Sequence, residues 1–231
     1  MFQIDIIRDS LKSAVTLTQK EATRFFKTDI GSYAANDIFM GVTVPNLRKI
    51  AKTFATLNIN DIQKLIISPI NEERFLALVI LVNQFQKSVG NRTRIYDFYI
   101  ENLNFVNNWN LVDASAHHIV GAYTFDKDRS ILAALSNSEN LWERRVAIIS
   151  TWYFIRKNDL EWTLKLSETL LNDPHDLMHK AVGWMLREAG KKDEKVLLRF
   201  LDAHADTMPR TMLRYAIEKL SEPERKKYLA R

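Results

Sequence analysis

"LWERRVAIISTWYFIRK", Leu141 to Lys157, and its earlier counterpart "NEERFLALVILVNQFQK", Asn71 to Lys87, decide the fold. Each opens on charged residues and runs on as an apolar stretch too long for a strand, which predicts a helix. "ERF" begins at Glu73 and "ERR" at Glu143, 70 residues apart. Trp109 stands 36 residues after Glu73, Arg145 36 after Trp109, and Trp184 39 after Arg145. A period of roughly 35–40 residues with two helices per unit is the mark of a HEAT-like α-solenoid of about six helical pairs.

Other helix signals fill the chain between these landmarks. "PNLRKIAKTFATL" places Pro45 in a first turn, and "INDIQKLII" follows with Asn60 or Asp61 as its cap. The helix of Asn71 to Lys87 is expected to be amphipathic and capped near Asn71. "NWNLVDASAHHIVGAYTF" reads as a single helix, followed by "LEWTLKLSETLL", "DLMHKAVGWMLREAG", "EKVLLRFLDAHA" and "PRTMLRYAIEKL". "FMGVTVP", Phe39 to Pro45, is the one strand-like stretch, and Gly41 and Pro45 make it a structured loop. With no linker in evidence, residues 1–231 read as one domain.

Composition supports this reading. The 231 residues hold only 6 glycines and 5 prolines, few for a β-rich or Rossmann-like fold. Hydrophobic residues make up 46% of the chain, enough for a sizeable core. The absence of cysteine excludes disulfides, thiolate metal sites and a cysteine nucleophile, and fits a cytoplasmic setting. The N-terminal "MFQIDIIRDSLKSAV" is amphipathic and lacks a signal-peptide pattern. No apolar run is long enough to span a bilayer. The net charge of +5 is a mild bias towards polyanions.

At matching phases of successive repeats stand Trp109 with Asp113, then Arg145, then Trp184. Arg144 adjoins Arg145, and "HKAVGWMLREAGKK" adds Lys180, Arg187 and Lys191. In four ordered segments the chain resembles the AlkD-type DNA alkylation repair family, the HEAT-like-repeat alkylpurine DNA glycosylases. They are "DIFMGVTVPNLRKIAK", "VNNWNLVDASAHHIVG", "LWERRVAIISTWYFIRK" and "HKAVGWMLREAGKKD", spanning Asp37 to Asp193. The resemblance implies a helical solenoid whose concave basic groove cradles duplex DNA. It also implies removal of N3- and N7-alkylated purines by a monofunctional, cofactor-free glycosylase acting as a monomer, without a base-flipping pocket. By motif it assigns Trp109, Asp113 and Trp184 to the catalytic site. The motif also matches Arg145, which is expected to hold DNA phosphates with Arg144 as its rival; Lys180, Arg187 and Lys191 are the further basic residues expected at the DNA. Asn108 and Asn110 flank Trp109 where some relatives carry aromatic or acidic residues, which bears on lesion preference.

These residue types suit that chemistry. A purine alkylated at N3 or N7 is cationic, and indole faces attract cations by about 0.5–2 kcal/mol. As the glycosidic bond breaks, positive charge moves to the sugar, where a carboxylate stabilises it. The plainer readings are a core indole with a helix-start carboxylate for Trp109 and Asp113, and a solvated charge for Arg145. Trp142, Trp152 and Trp162 read as packing residues. His175 and His179, at i and i+4, lack a third ligand, so no metal is expected. His117 and His118 are expected to point in different directions. The alternative functions are a DNA-structure-binding solenoid without catalysis and a protein-interaction solenoid.

Overall fold

The structure is a computed structural model and describes residues 3–230. Met1 and Phe2 of the amphipathic N-terminal stretch, and Arg231, lie outside the described residues. The protein is all-α. Among the described residues no strand forms, only isolated bridges between Val15 and Val42 and between Ile38 and Ile70. "FMGVTVP" is accordingly a loop as far as Thr43, with one bridge inside it at Val42 and one just before it at Ile38.

The chain condenses into two compact units, one ending at Ser115 and one starting at Ala116. The first holds α1 (Gln3–Ser13), α2 (Gln19–Thr23), α3 (Val44–Thr53), α4 (Ile59–Ile66), α5 (Asn71–Lys87), α6 (Arg92–Glu101) and α7 (Trp109–Ala116), apart from the final Ala116. The second starts with a π-helical turn at His117–Gly121 and α8 (Ala122–Thr124). It continues with α9 (Ser130–Ser136), α10 (Leu141–Arg156), α11 (Glu161–Thr169), α12 (Asp176–Lys192), α13 (Glu194–His204), α14 (Arg210–Ala216) and α15 (Glu222–Leu229). Long helices alternate with shorter ones packed around them: α3 and α4 on α5, then α9 and α11 on α10, then α11, α13 and α14 on α12.

The helix α5 departs from the amphipathic expectation. Every residue from Asn71 to Val82 is buried, so it is enclosed on all sides. Its first turn nevertheless carries Glu72, Glu73 and Arg74, which burial would penalise heavily without partners. Each is matched. Glu72 accepts from the backbone N–H groups of Met40, Gly41 and Val42. Glu73 takes a two-pronged contact from Arg8 at 3.0 and 3.1 Å. Arg74 pairs with Asp37 and donates to the Ser68 carbonyl at 2.7 Å. The charged start of α5 thus fixes α1, the 37–42 loop and the α4–α5 turn at one place.

Two caps differ from the sequence expectation. The cap of α4 is Asn58, whose side chain accepts from the Asp61 N–H at 3.0 Å. Asn60 and Asp61 lie inside the first turn, where Asp61 favours the positive helix end. The cap position of α5 is Ile70, without a side-chain bond. Asn71 instead turns its amide to Asp37 and Asn110. Gly41 has φ +93°, and a Cβ there would stand 2.4 Å from the Leu17 carbonyl oxygen. Only glycine fits this turn. Pro45 sits in the first turn of α3, as expected.

In the second unit α10 ends in a Schellman motif. Asn158 adopts φ 62°, its N–H donates to the Ile155 carbonyl, and the Asp159 N–H donates to the Phe154 carbonyl. The helix α12 is capped by His175, whose Nδ1 accepts from the Leu177 N–H at 3.1 Å. His179 places its Nε2 2.5 Å from the Asp173 carbonyl. The two histidines therefore serve the α12 start. Among the described residues no group of three or more His, Cys, Asp or Glu side chains could hold a metal ion, and no helix is long and apolar enough to cross a membrane.

Candidate active site

Trp109 and Asp113 occupy successive turns of α7, and both line one pocket of about 470 Å³ within the first unit. Both are half-buried, so neither is sealed in the core. The pocket is walled by Phe25, Phe26, Phe39, Val42, Leu47 and Phe75, with Thr43, Asn71, Asn110 and Arg48 among its polar lining. Phe26 stacks on Trp109 with ring centroids 5.1 Å apart and 21° between planes, and it also meets Phe39 at 4.4 Å.

A buried polar network sets the start of α7. Asn108 is fully buried, and its Oδ1 accepts from the Trp109 N–H at 2.7 Å. The Asn108 carbonyl accepts from the Leu111 and Val112 N–H groups, so this residue closes the helix entrance. Its Nδ2 donates to Asp37 at 2.6 Å. Asp37 also accepts from Asn71 at 3.0 Å and pairs with Arg74. Asn110 donates to the Asn71 Oδ1 at 2.7 Å. The asparagines flanking Trp109 thus anchor it to the first turn of α5. Behind α7 lies Tyr99. Burial pushes its phenol well above the ordinary tyrosine range; the Ser115 hydrogen bond opposes this and the Asp113 carboxylate adds to it. Ser115 gives its own proton to the Leu111 carbonyl at 2.6 Å, so Tyr99 is the donor to Ser115 at 3.0 Å.

Sequence reasoning passed over Phe26 and the Asp37 hub. Phe25 and Phe26 were visible as adjacent aromatics in an otherwise polar stretch, "QKEATRFFKTDIGS". Asp37 gave no local signal, because its partners are 34 to 71 residues away.

Trp184 lies in the second unit, half-buried on α12. It meets Trp152 edge-on, with centroids 5.0 Å apart, and Trp152 in turn meets His117 at 4.5 Å. The rings of His117 and His118 are 3.8 Å apart. The wide π-helical turn brings together two adjacent side chains that an α-helix would splay, contrary to the sequence expectation. Gly183 explains the glycine before Trp184. A Cβ there would stand 2.4 Å from the Met212 carbonyl oxygen, so glycine lets α14 approach α12 closely. Trp152 packs against Trp184 and His117, as expected, and both tryptophans are only partly buried. Trp142 is buried, as expected, and Trp162 carries the Lys165 ammonium over its ring at 4.4 Å.

A family model for DNA alkylation repair enzymes matches residues 7–220. The chain belongs to the DNA alkylation repair enzyme family. The match runs through both compact units. A solved structure described as a predicted DNA alkylation repair enzyme from Enterococcus faecalis aligns with a TM-score of 0.68. It covers 90% of this chain and 98% of that one at 16% identity, a likeness of fold. No curated protein matches the chain.

In this chain the expected DNA-binding cations are placed unequally. Arg145 is 5% exposed, and its guanidinium donates to the Leu177 carbonyl at 2.6 Å. Arg144 pairs with the buried Asp173 at 2.6 Å and donates to the Ser138 and Glu139 carbonyls. Arg187 pairs with Glu218 and lies 3.5 Å from Glu188. Lys180 pairs with Asp176 at 2.7 Å, which holds that carboxyl below the usual carboxylate range. Lys191 pairs with Glu188 at 2.7 Å. Lys180 and Lys191 keep 39% and 45% of their side chains exposed, against 14% for Arg144 and 17% for Arg187.

Proposed function

We propose that the protein is a DNA glycosylase that hydrolyses the N-glycosidic bond of cationic N3- or N7-alkylated purines in duplex DNA. It leaves an abasic site. The observation that carries this reading is the shared pocket of Trp109 and Asp113, in a chain of the DNA alkylation repair enzyme family. The damaged base arrives with a positive charge, which the Trp109 face attracts. When the bond from C1′ to the base nitrogen breaks, its electron pair stays with the base and neutralises it. Positive charge then develops at the sugar, and the Asp113 carboxylate stabilises it. Water bonds to C1′ and gives up one proton, which Asp113 can direct to solvent. The charged leaving group departs without protonation, so one carboxylate suffices.

In this reading the 1–231 chain works as one cytoplasmic, monomeric repair domain without cofactor or metal. The lesion is recognised largely through the DNA backbone. Trp184 offers a further indole within the second unit. Lys180 and Lys191, the more exposed of the expected cations, contact phosphates, and each gives up an exposed ion pair worth at most about 1 kcal/mol to do so. Arg144 and Arg145 hold the loop before α10 and the start of α12, and so act on DNA mainly by fixing those elements. The test is incubation of the pure protein with methylated genomic DNA and chromatographic identification of freed bases. Free 3-methyladenine or 7-methylguanine is expected; DNA binding without release supports the non-catalytic reading instead.

A further inference from the structure

The geometry points to the first-unit pocket as a receptor for the released, neutral alkylpurine base, so that free base binds the protein in the absence of DNA. This rests on the hydrolysis proposed above. Three observations carry it. The first is shape: about 470 Å³ falls within the range of roughly 300–1,000 Å³ common to small-ligand sites. The second is chemistry. Phe25, Phe26, Phe39, Phe75 and Trp109 give flat apolar walls that suit a planar ring system. Thr43 and Asn110 place a hydroxyl and an amide in the same lining, where the polar edge of a purine can be met.

The third is charge. Glu72 lies in the wall, yet its carboxylate is taken up by the backbone amides of Met40, Gly41 and Val42. Glu21, at the rim, is held by Thr18. The lining is therefore mostly apolar, with Asp113 and Arg48 as its remaining charges. A cationic base loses its charge at the moment its bond to the sugar breaks. A mostly apolar, aromatic space accepts the base once that charge is gone, and Trp109 and Asp113, the residues proposed to act on the bond, stand in its wall. Occupancy by product predicts inhibition by free base.

The experiment titrates free 7-methylguanine and 3-methyladenine into the full chain and follows tryptophan fluorescence. Saturable quenching is expected, with each base acting as a competitive inhibitor of release from methylated DNA. Ala22→Phe fills the pocket from its α2 side. It is expected to weaken free-base binding at least about tenfold while thermal unfolding stays cooperative. Should that variant not fold, Val44→Trp narrows the pocket from the exposed start of α3. Absence of saturation in the wild-type protein overturns the assignment, as does undiminished binding by a folded pocket-filled variant. Release of bases from DNA without free-base binding overturns the pocket alone. Free-base binding without release overturns the hydrolysis and leaves the pocket standing.

Discussion

At the residue scale the decisive side chain is Asn108. It is fully buried, closes the entrance of α7, and joins the helix to Asp37 and through it to Arg74 and Asn71. Asn108→Ala removes a donor from a buried carboxylate and an acceptor from the Trp109 N–H. It is expected to cost about 1–3 kcal/mol, the range for buried polar groups left unpaired, as read by urea denaturation. A loss below about 0.5 kcal/mol would mean that the network is not coupled to stability. Trp109 and Asp113 were legible in the sequence, since an i,i+4 spacing places two residues on one helix face. Their supports were not, because a hydrogen bond between residues 37 and 108 exists only once the chain has folded back. The same blindness affected Arg145. Its sequence position cannot reveal that it is buried and donates to Leu177.

At the scale of elements, caps and turns decide where helices stop. Asn158 ends α10 in the left-handed region, where a Cβ-bearing residue without a compensating polar group is strained. Asn158→Gly is expected to leave stability equal or higher, and Asn158→Ala to lower it by about 1–2 kcal/mol; thermal melts of both variants check this. The helix α2 carries a capping box between Thr18 and Glu21. Hydrogen bonds from the Thr18 backbone and hydroxyl hold the Glu21 carboxyl below its ordinary range. A lowered folded-state pKa stabilises the fold above the unfolded pKa, and the contribution is lost as pH falls through the folded value. Thr18→Ala is expected to cost about 0.5–2 kcal/mol at neutral pH. The difference from wild type should shrink on acidification below the usual carboxylate range, as followed by denaturation at several pH values. Helix positions were readable from apolar spacing and from the Pro45 signal. The enclosure of α5 was not, because its buried charges imitate an exposed face until their partners are known.

At the scale of the whole molecule, the repeat period and scarcity of glycine and proline made the all-α architecture legible, and the family match spans both compact units. A net charge of +5 and the exposed lysines of α12 predict salt-sensitive DNA binding. The slope of log affinity against log salt measures the number of phosphates neutralised, and replacing Lys191 by Gln should reduce it by about one unit. An unchanged slope would place the phosphate contact elsewhere.

The proposed hydrolysis requires the carboxylate of Asp113 to act on the breaking glycosidic bond. It is tested most directly by single-turnover release of 7-methylguanine from duplex DNA at saturating protein, wild type against Asp113→Asn, with DNA affinity measured alongside. The expected result is a rate about 100- to 1000-fold lower in the variant at nearly equal affinity. Equal rates for the two proteins would contradict it.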